Sequence, residues 1–372
     1  MNKEEYLVSI NDVVYLASCM VHDDVPDERR VAEMDIKKLY NAAKRHQLTG
    51  IIGYALEAAG VRDEAFIRER GKAIRKTVLL DVERSAVFKK FDESGIWYMP
   101  LKGIVLKELY PRIGMRQMAD NDILYDFTRS EDVRVIMESL GFETKSLVAN
   151  DHDHDHYVKL PACSFEMHRA LMPLKVGKKM FDYFRNVKDR LIKDDGNSCG
   201  YHFSDEDFYI YMIAHEYKHF ANSGTGLRSV LDTYVYCTRM EGRLDWKYIE
   251  RELKKLGLHD FEKSNRSLAL HLFGGEQLTD EENEMYEYIA FSGTYGTQKN
   301  FVQNGIRRKG RAGFLFSRVF VSYPLMAAHY PILKKLPFLL PIFWIIRLVT
   351  VFSKKPKKVL YQFGTTFRKI EK

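Results

Sequence analysis

The chain has 372 residues, 45% hydrophobic and 29% charged, an ordinary globular balance with enough material to bury a large core in two or three domains. Cys19, Cys163, Cys199 and Cys237 stand far apart with no C-x-x-C, which excludes a disulfide framework or a thiolate zinc site and suggests reduced thiols in a cytoplasmic protein. The net charge of +7 hides an asymmetry: residues 307–372 carry fifteen Lys or Arg against one acid, Glu371, so a basic tail follows an acidic body. Such a tail suits an anionic partner: a membrane surface, nucleic acid or a polyanionic substrate.

Residues 1–95 read as helical. The opening MNKEEYLVSI is charged and lacks the apolar run of a signal peptide. In segment 35–47, Ile36, Leu39, Tyr40 and Ala43 fall on one face at helical spacing. In segment 76–91, Leu79, Val82, Ala86 and the stem of Lys89 do the same, and Gly95 ends the helix. His46 reads as a capping or surface residue. No chemistry is expected in this region.

Residues 96–103 (IWYMPLKG) give an apolar strand ending in a turn, with a helix expected from about Ile104 until Pro111 stops it. Gly103 lacks a Cβ, so backbone there can approach a ligand closely, and helix N-termini favour anions. Lys102 adds a point charge. A triphosphate contact and a plain surface lysine beside a turn glycine both fit. The loop 112–119 holds Arg112 and Arg116, either within reach of phosphate.

The next strand carries Asp120 and Asp122. Strand side chains alternate, so Asp120, Asp122 and Leu124 share one face and Asn121, Ile123 and Tyr125 the other. Two carboxylates roughly 7 Å apart along a strand repel each other unless a cation sits between them. That suits a hard divalent ion, Mg²⁺ where phosphates complete the shell; solvated loop carboxylates are the alternative. Thr128 and Glu131 suggest a capping box for a helix that buries Val133, Ile136, Met137 and Leu140. Gly141 caps it, and Phe142 begins another strand.

In NDHDHDHYVKLPACSFEMHRAL (150–171), His152, His154 and His156 alternate and would suit a transition metal. A polar hairpin arm, with Asp151, Asp153 and Asp155 on its other face, explains the pattern without one. On the strand Cys163–His168, Ser164, Glu166 and His168 share a face while Phe165 and Met167 pack behind.

The order Leu101-Lys102-Gly103, Leu106, Leu109-Tyr110-Pro111, Arg116, Asp120 and Asp122, closing on Glu166-Met167-His168, resembles the uncharacterised nucleotidyltransferase family of the polymerase-beta-type superfold. The resemblance implies a small mixed sheet backed by helices. It implies that Asp120, Asp122 and Glu166 bind two Mg²⁺ ions, and that Lys102, Gly103 and Arg116 hold the triphosphate of an NTP substrate. Glu166 would also accept the proton of the attacking hydroxyl. Where the wider superfold shows Gly-Gly or Gly-Ser at the first turn, this chain has Lys102-Gly103.

Residues 181–203 look like a linker, and Ser204 with Asp207 caps a following helix. That helix spells His215-Glu216-x-x-His219, the zinc-protease pattern in which two histidines share a helix face beside a general base. The longer metzincin form is missing, because Asn222 and Thr225 stand where its glycine and third histidine belong; Glu241 is a candidate third ligand of another type. By the resemblance, Gly226–Asp232 packs near the cleft, and His219, Arg228 or Asp232 would touch nucleotide or acceptor. Arg228 and Asp232 could equally form an intrahelical ion pair.

Residues 245–290 continue as helices, with Trp246, Ile249, Leu253 and Leu256 in register. The polar tract 292–311 reads as a mobile loop. Leu336–Phe352 is apolar apart from Arg347 but holds Pro337 and Pro341, and is shorter than the roughly 20 residues of a spanning helix. It reads either as a helix packed on the body, which the resemblance favours, or as a basic amphipathic stretch on an anionic membrane.

The expected fold is therefore α+β: a helical N-terminal region (1–95), a small mixed-sheet nucleotidyltransferase core (96–190) and a mainly helical C-terminal region with a basic tail (200–372). The expected activity is Mg²⁺-dependent transfer of an NMP from NTP to an acceptor hydroxyl of a sugar, small molecule, RNA or protein. The expected location is cytoplasmic, with peripheral contact at an anionic membrane through the basic tail. An NTP-binding or interaction protein that keeps the fold without turnover is the alternative, and a zinc protease a more distant one.

Overall fold

The computed structural model describes residues 2–147, 154–196, 198–354 and 356–367. Asp151, His152 and Asp153 lie outside these residues. The chain opens with α1 (Lys3–Val21), α2 (Glu28–Ala32), α3 (Ile36–Arg45), α4 (Thr49–Ala58) and α5 (Glu64–Ser94). The side chains of Asn2, Asp27, Asp35 and Asp63 accept first-turn N–H groups and so fix where α1, α2, α3 and α5 begin.

On α3 the expected face holds: Leu39 and Ala43 are buried, with Ile36 and Tyr40 packed beside them. The face expected on α5 does not. Its buried row is Thr77, Leu80, Val87 and Phe91, while Val82 is 62% exposed. The helix is 31 residues long and carries two apolar rows, and only one lies on the sheet. Gly95 closes it at φ 64°. His46 is not on the surface. It is fully buried, its Nε2 is 3.1 Å from the Ala290 carbonyl, and its Nδ1 accepts the Leu227 N–H.

The sheet comprises β1 (Tyr98–Pro100), β2 (Asn121–Tyr125), β3 (Glu143–Ser146), β4 (His154–Lys159) and β5 (Cys163–His168), in the order β1-β2-β5-β4-β3. β2 and β5 run parallel and the other neighbours antiparallel, so the sheet is mixed and the fold is α+β. The single turn α6 (Gly103–Leu106) follows β1, and α7 (Ser130–Ser139) follows β2. The Thr128–Glu131 capping box does not form, because Asp126 accepts the Thr128 N–H and hydroxyl and caps a preceding 3₁₀ turn instead.

The stretch read as a linker holds α8 (Lys178–Phe184) and a ribbon of β6 (Ile192–Lys193) with β7 (Tyr201–His202). The helices α9 (Asp205–Phe220), α10 (Leu227–Arg239), α11 (Trp246–Leu256), α12 (His259–Gly274) and α13 (Asp280–Ser292) follow. The tract read as a mobile loop is largely helix: α14 (Gln298–Val319) runs through it with a kink at Gly310. The chain then forms α15 (Tyr323–His329), α16 (Ile332–Lys335), α17 (Leu340–Lys354) and α18 (Pro356–Phe367).

Three large cores hold the sheet and the helices up to α13 together. Ile123, Tyr125, Phe165 and Met167 pack one sheet face against Leu80, Val87 and Phe91 of α5 and Val133 and Met137 of α7. At the β1–β2 end, the other face meets α9 through Met99, Leu101 and Leu124. The third core joins α1, α3 and α4 to α10, α12 and α13. The rest of that second sheet face borders a cleft.

Candidate active site

The register of the sheet assembles the site. Asp122 lies opposite Glu166 and Leu124 opposite His168 across the parallel pair, while His154 lies opposite His168 across the next. Alternation therefore puts Asp122, Glu166, His168 and His154 on the cleft face and sends Ile123, Phe165 and Met167 into the core. Asp120 sits one residue ahead of β2 at the mouth of the same cleft.

Lys102 Nζ donates to Asp122 Oδ1 at 2.8 Å, and His168 Nε2 lies 2.6 Å from the same oxygen. Glu166 Oε1 is 3.3 Å from His154 Nε2, and its Oε2 is 3.6 Å from His168 Nε2. Donor atoms of His154, Glu166 and His168 all lie within 4.8 Å of one another, the spacing of a metal site. The alternating-histidine pattern is thus divided: His154 joins this group, while His156 Nε2 sits 2.9 Å from Ser164 Oγ.

The three carboxyls differ in charge state. Burial, then the neighbouring Asp122 charge, pushes Asp120 up to about 6. Burial, then Asp122 and Asp120, pushes Glu166 up to about 8. Burial works the same way on Asp122, but Lys102 and His168 outweigh it and hold that carboxyl well below the usual carboxylate range. Mutual repulsion of this kind is what a divalent cation relieves, and three hard oxygen donors fit Mg²⁺.

The turn after β1 is tightly built. Lys102 adopts φ 47°, ψ −113°, a rare conformation for a residue with a side chain. A Cβ on Gly103 would strike the Arg116 guanidinium and come within 2.9 Å of Met118 Sδ, so only glycine fits.

Arg116 lines the cleft, but its guanidinium is already engaged. It is 8% exposed, and its Nε and Nη2 donate to the two oxygens of Asp232, both at 2.8 Å. Tyr110 donates its hydroxyl to the same carboxylate at 2.8 Å. The bidentate pair engages Nε and Nη2 and leaves Nη1 against Met118 Sδ, so Arg116 fastens the loop before β2 to α10. Arg112 is away from the cleft, paired with Asp23 on the surface.

With Asp232 taken by Arg116, the intrahelical pair with Arg228 does not form. Arg228 contacts the Gln47 side-chain oxygen and, at 3.3 Å, the Gln117 carbonyl. Among the described residues it has no carboxylate partner. Burial, then the Arg116 charge, lowers its pKa. This half-buried cation faces the cleft beside Lys102.

The cleft comprises two adjoining cavities of about 300 Å³ each. Both are lined by Lys102, Asp120, Asp122, His215, His219 and Arg228. One extends along Tyr211 and Thr294, and the other along Glu166, His154 and His168. Gly226–Asp232 does border the cleft, through Arg228, Ser229 and Asp232.

The zinc-protease arrangement is not assembled. His215 and His219 bring their Nε2 atoms to 3.3 Å, but among the described residues no third ligand atom joins them at metal-binding separation. Glu216 Oε2 is held by Asn265 at 2.9 Å and Thr233 at 3.2 Å.

A model of the uncharacterised nucleotidyltransferase family matches residues 32–274, spanning the sheet and both walls of the cleft. No curated protein and no solved structure matches the chain.

Proposed function

The chain belongs to the uncharacterised nucleotidyltransferase family, and from that premise we propose that it transfers an NMP from NTP to an acceptor hydroxyl. The supporting observation is one sheet face that carries Asp122 and Glu166 side by side, with Asp120 adjoining and two cations, Lys102 and Arg228, on the rim. Asp120, Asp122 and Glu166 would hold Mg²⁺. Bound Mg²⁺ neutralises charge on the attacking and leaving oxygens of an in-line displacement.

The protein's own groups then position and neutralise. Arg228 and Lys102 bind the β- and γ-phosphates, Arg228 taking the part that the family resemblance implies for Arg116. Lys102, which donates to Asp122 here, would be free to reach phosphate where that carboxylate holds Mg²⁺. Glu166, on the cleft face beside Asp122, accepts the acceptor's hydroxyl proton. The acceptor oxygen forms its bond to the α-phosphorus, the α–β phosphoanhydride bond breaks, and pyrophosphate leaves.

The test is NTP labelled at the α-phosphate, incubated with Mg²⁺ and a fractionated cell extract. The expected result is label moved onto an acceptor, with loss of at least 100-fold in Asp122→Asn. NTP that binds Mg²⁺-dependently yet yields no labelled acceptor in any fraction favours the non-catalytic reading.

A further inference from the structure

The C-terminal helices carry a feature that nucleotidyl transfer leaves unused. The window Pro337–Lys354 is apolar and long enough to cross a membrane by length and composition, and none of it is buried in the fold. The two sides of α17 differ in what they meet. Its inner side packs Leu340, Phe343 and Trp344 onto Met326, Ala327 and Leu333. Trp344 Nε1 donates to the Val321 carbonyl at 2.8 Å, and Arg347 Nη1 to the Arg318 carbonyl at 3.1 Å.

The outer side presents Ile342, Ile345, Ile346, Val349 and Phe352, spaced at three and four residues along one stripe. Ile345 is 63% exposed and Val349 64%. The neighbouring α18 repeats the pattern. Gln362 and Thr366 turn inward, with Gln362 bonded to Gln298 and Arg318, while Leu360, Phe363 and Phe367 face outward. Two adjacent helices thus each show an exposed apolar stripe, more than the scattered apolar residues normal on a protein exterior.

We infer that α17 and α18 form a docking surface for an anionic lipid bilayer, lying in its interface. The charge around the stripes selects this occupant. Lys334 and Lys335 precede α17, Lys354 ends it, and Lys357 and Lys358 open α18, within a tail holding fifteen basic residues and one acid. Basic residues beside an apolar helical face bind anionic headgroups while the face enters the acyl boundary by about 5–10 Å. A second copy would bring two such tails together against their repulsion. A spanning orientation would tear Trp344 and Arg347 from the body and bury Arg347 in hydrocarbon.

The test is flotation of the full chain with phosphatidylcholine vesicles, with and without phosphatidylglycerol. The expected result is binding at least tenfold stronger to the anionic vesicles and weakened by salt. Ile345→Asp/Val349→Asp should abolish it with an unchanged far-UV CD spectrum and Tm, since both side chains are exposed. Lys357→Glu/Lys358→Glu should remove the anionic preference. A chain that stays in solution with anionic vesicles, or apolar-stripe variants that float like wild type, would overturn the inference. So would a dimer in sedimentation that dissolves in Ile345→Asp/Val349→Asp while no vesicle binds.

Discussion

Arg116 and Arg228 show how far single residues can be assigned from a string of letters. The spacing Arg116-x-x-x-Asp120-x-Asp122 marks an arginine near the carboxylates. It does not show that Asp232, more than a hundred positions later, claims its Nε and Nη2 donors. Arg228 entered the reading only as one of three contacts in a segment expected near the cleft. Nothing local reveals that its carboxylate neighbour is already taken. The two substitutions therefore part company. Arg116→Ala leaves the buried Asp232 charge with only the Tyr110 hydroxyl and should cost about 3–5 kcal/mol of stability, seen as a large fall in Tm. Arg228→Ala should leave Tm nearly unchanged and weaken Mg²⁺–NTP binding roughly tenfold to a hundredfold, the worth of a hydrogen bond to a charged phosphate.

Glu216 gives a pH signature. Burial, only partly offset by Asn265 and Thr233, pushes its carboxyl from an ordinary 4.5 up to about 8. Between those values the folded chain keeps a proton that the unfolded chain has released. Stability is fully present below about 4.5 and falls as pH rises towards about 8, by at most ~1.4 kcal/mol per pH unit. Thermal melts of wild type and Glu216→Gln across that range should show a declining wild-type Tm and a flatter profile for the variant. A wild-type Tm that rises over the same range through this residue would contradict the assignment.

Elements were more legible than residues. The alternation of 120–125 and 163–168 placed Ile123, Phe165 and Met167 in the core and the acids on the far face, because a half-buried strand leaves no other choice. The start of α9 followed from its Ser204 cap, which accepts the Asp207 N–H. What failed was selection between two valid local solutions. α5 offers two apolar rows, and only the sheet decides that Leu80 and Val87 are inside and Val82 outside. Asp126 captured Thr128 before Glu131 could form its box with it.

The β1–α6 turn carries the prediction at this scale. Gly103→Ala must displace the Arg116 guanidinium or Met118, at a cost of about 1–3 kcal/mol. Because both changes act on one packed group, Gly103→Ala combined with Arg116→Ala should cost less than the sum of the two, measured by urea unfolding.

At the scale of the whole molecule, the sequence shows neither how distant segments share a core nor how a cleft closes. Tyr6, Ile10 and Val13 pack in one cluster with Leu227, Leu231, Leu268 and Ile289. His46 bonds across it to Leu227, and Gln47 reaches Arg228 and Tyr295 at the cleft. The N-terminal helices, in which the letters display no chemistry, thus set the wall that holds Arg228. Removing residues 1–61 should leave the sheet's own sequence intact yet abolish cooperative unfolding and NTP binding together, read by calorimetry and titration.

The central claim is that the carboxylate face and the Lys102–Arg228 rim make one Mg²⁺–NTP site. The direct measurement is isothermal titration with a non-hydrolysable NTP, with and without Mg²⁺, on wild type and on Asp120→Asn/Asp122→Asn. Binding should require Mg²⁺ and be lost in the double variant while its Tm is retained. Binding that ignores Mg²⁺, survives the double variant, or fails for every NTP would contradict it.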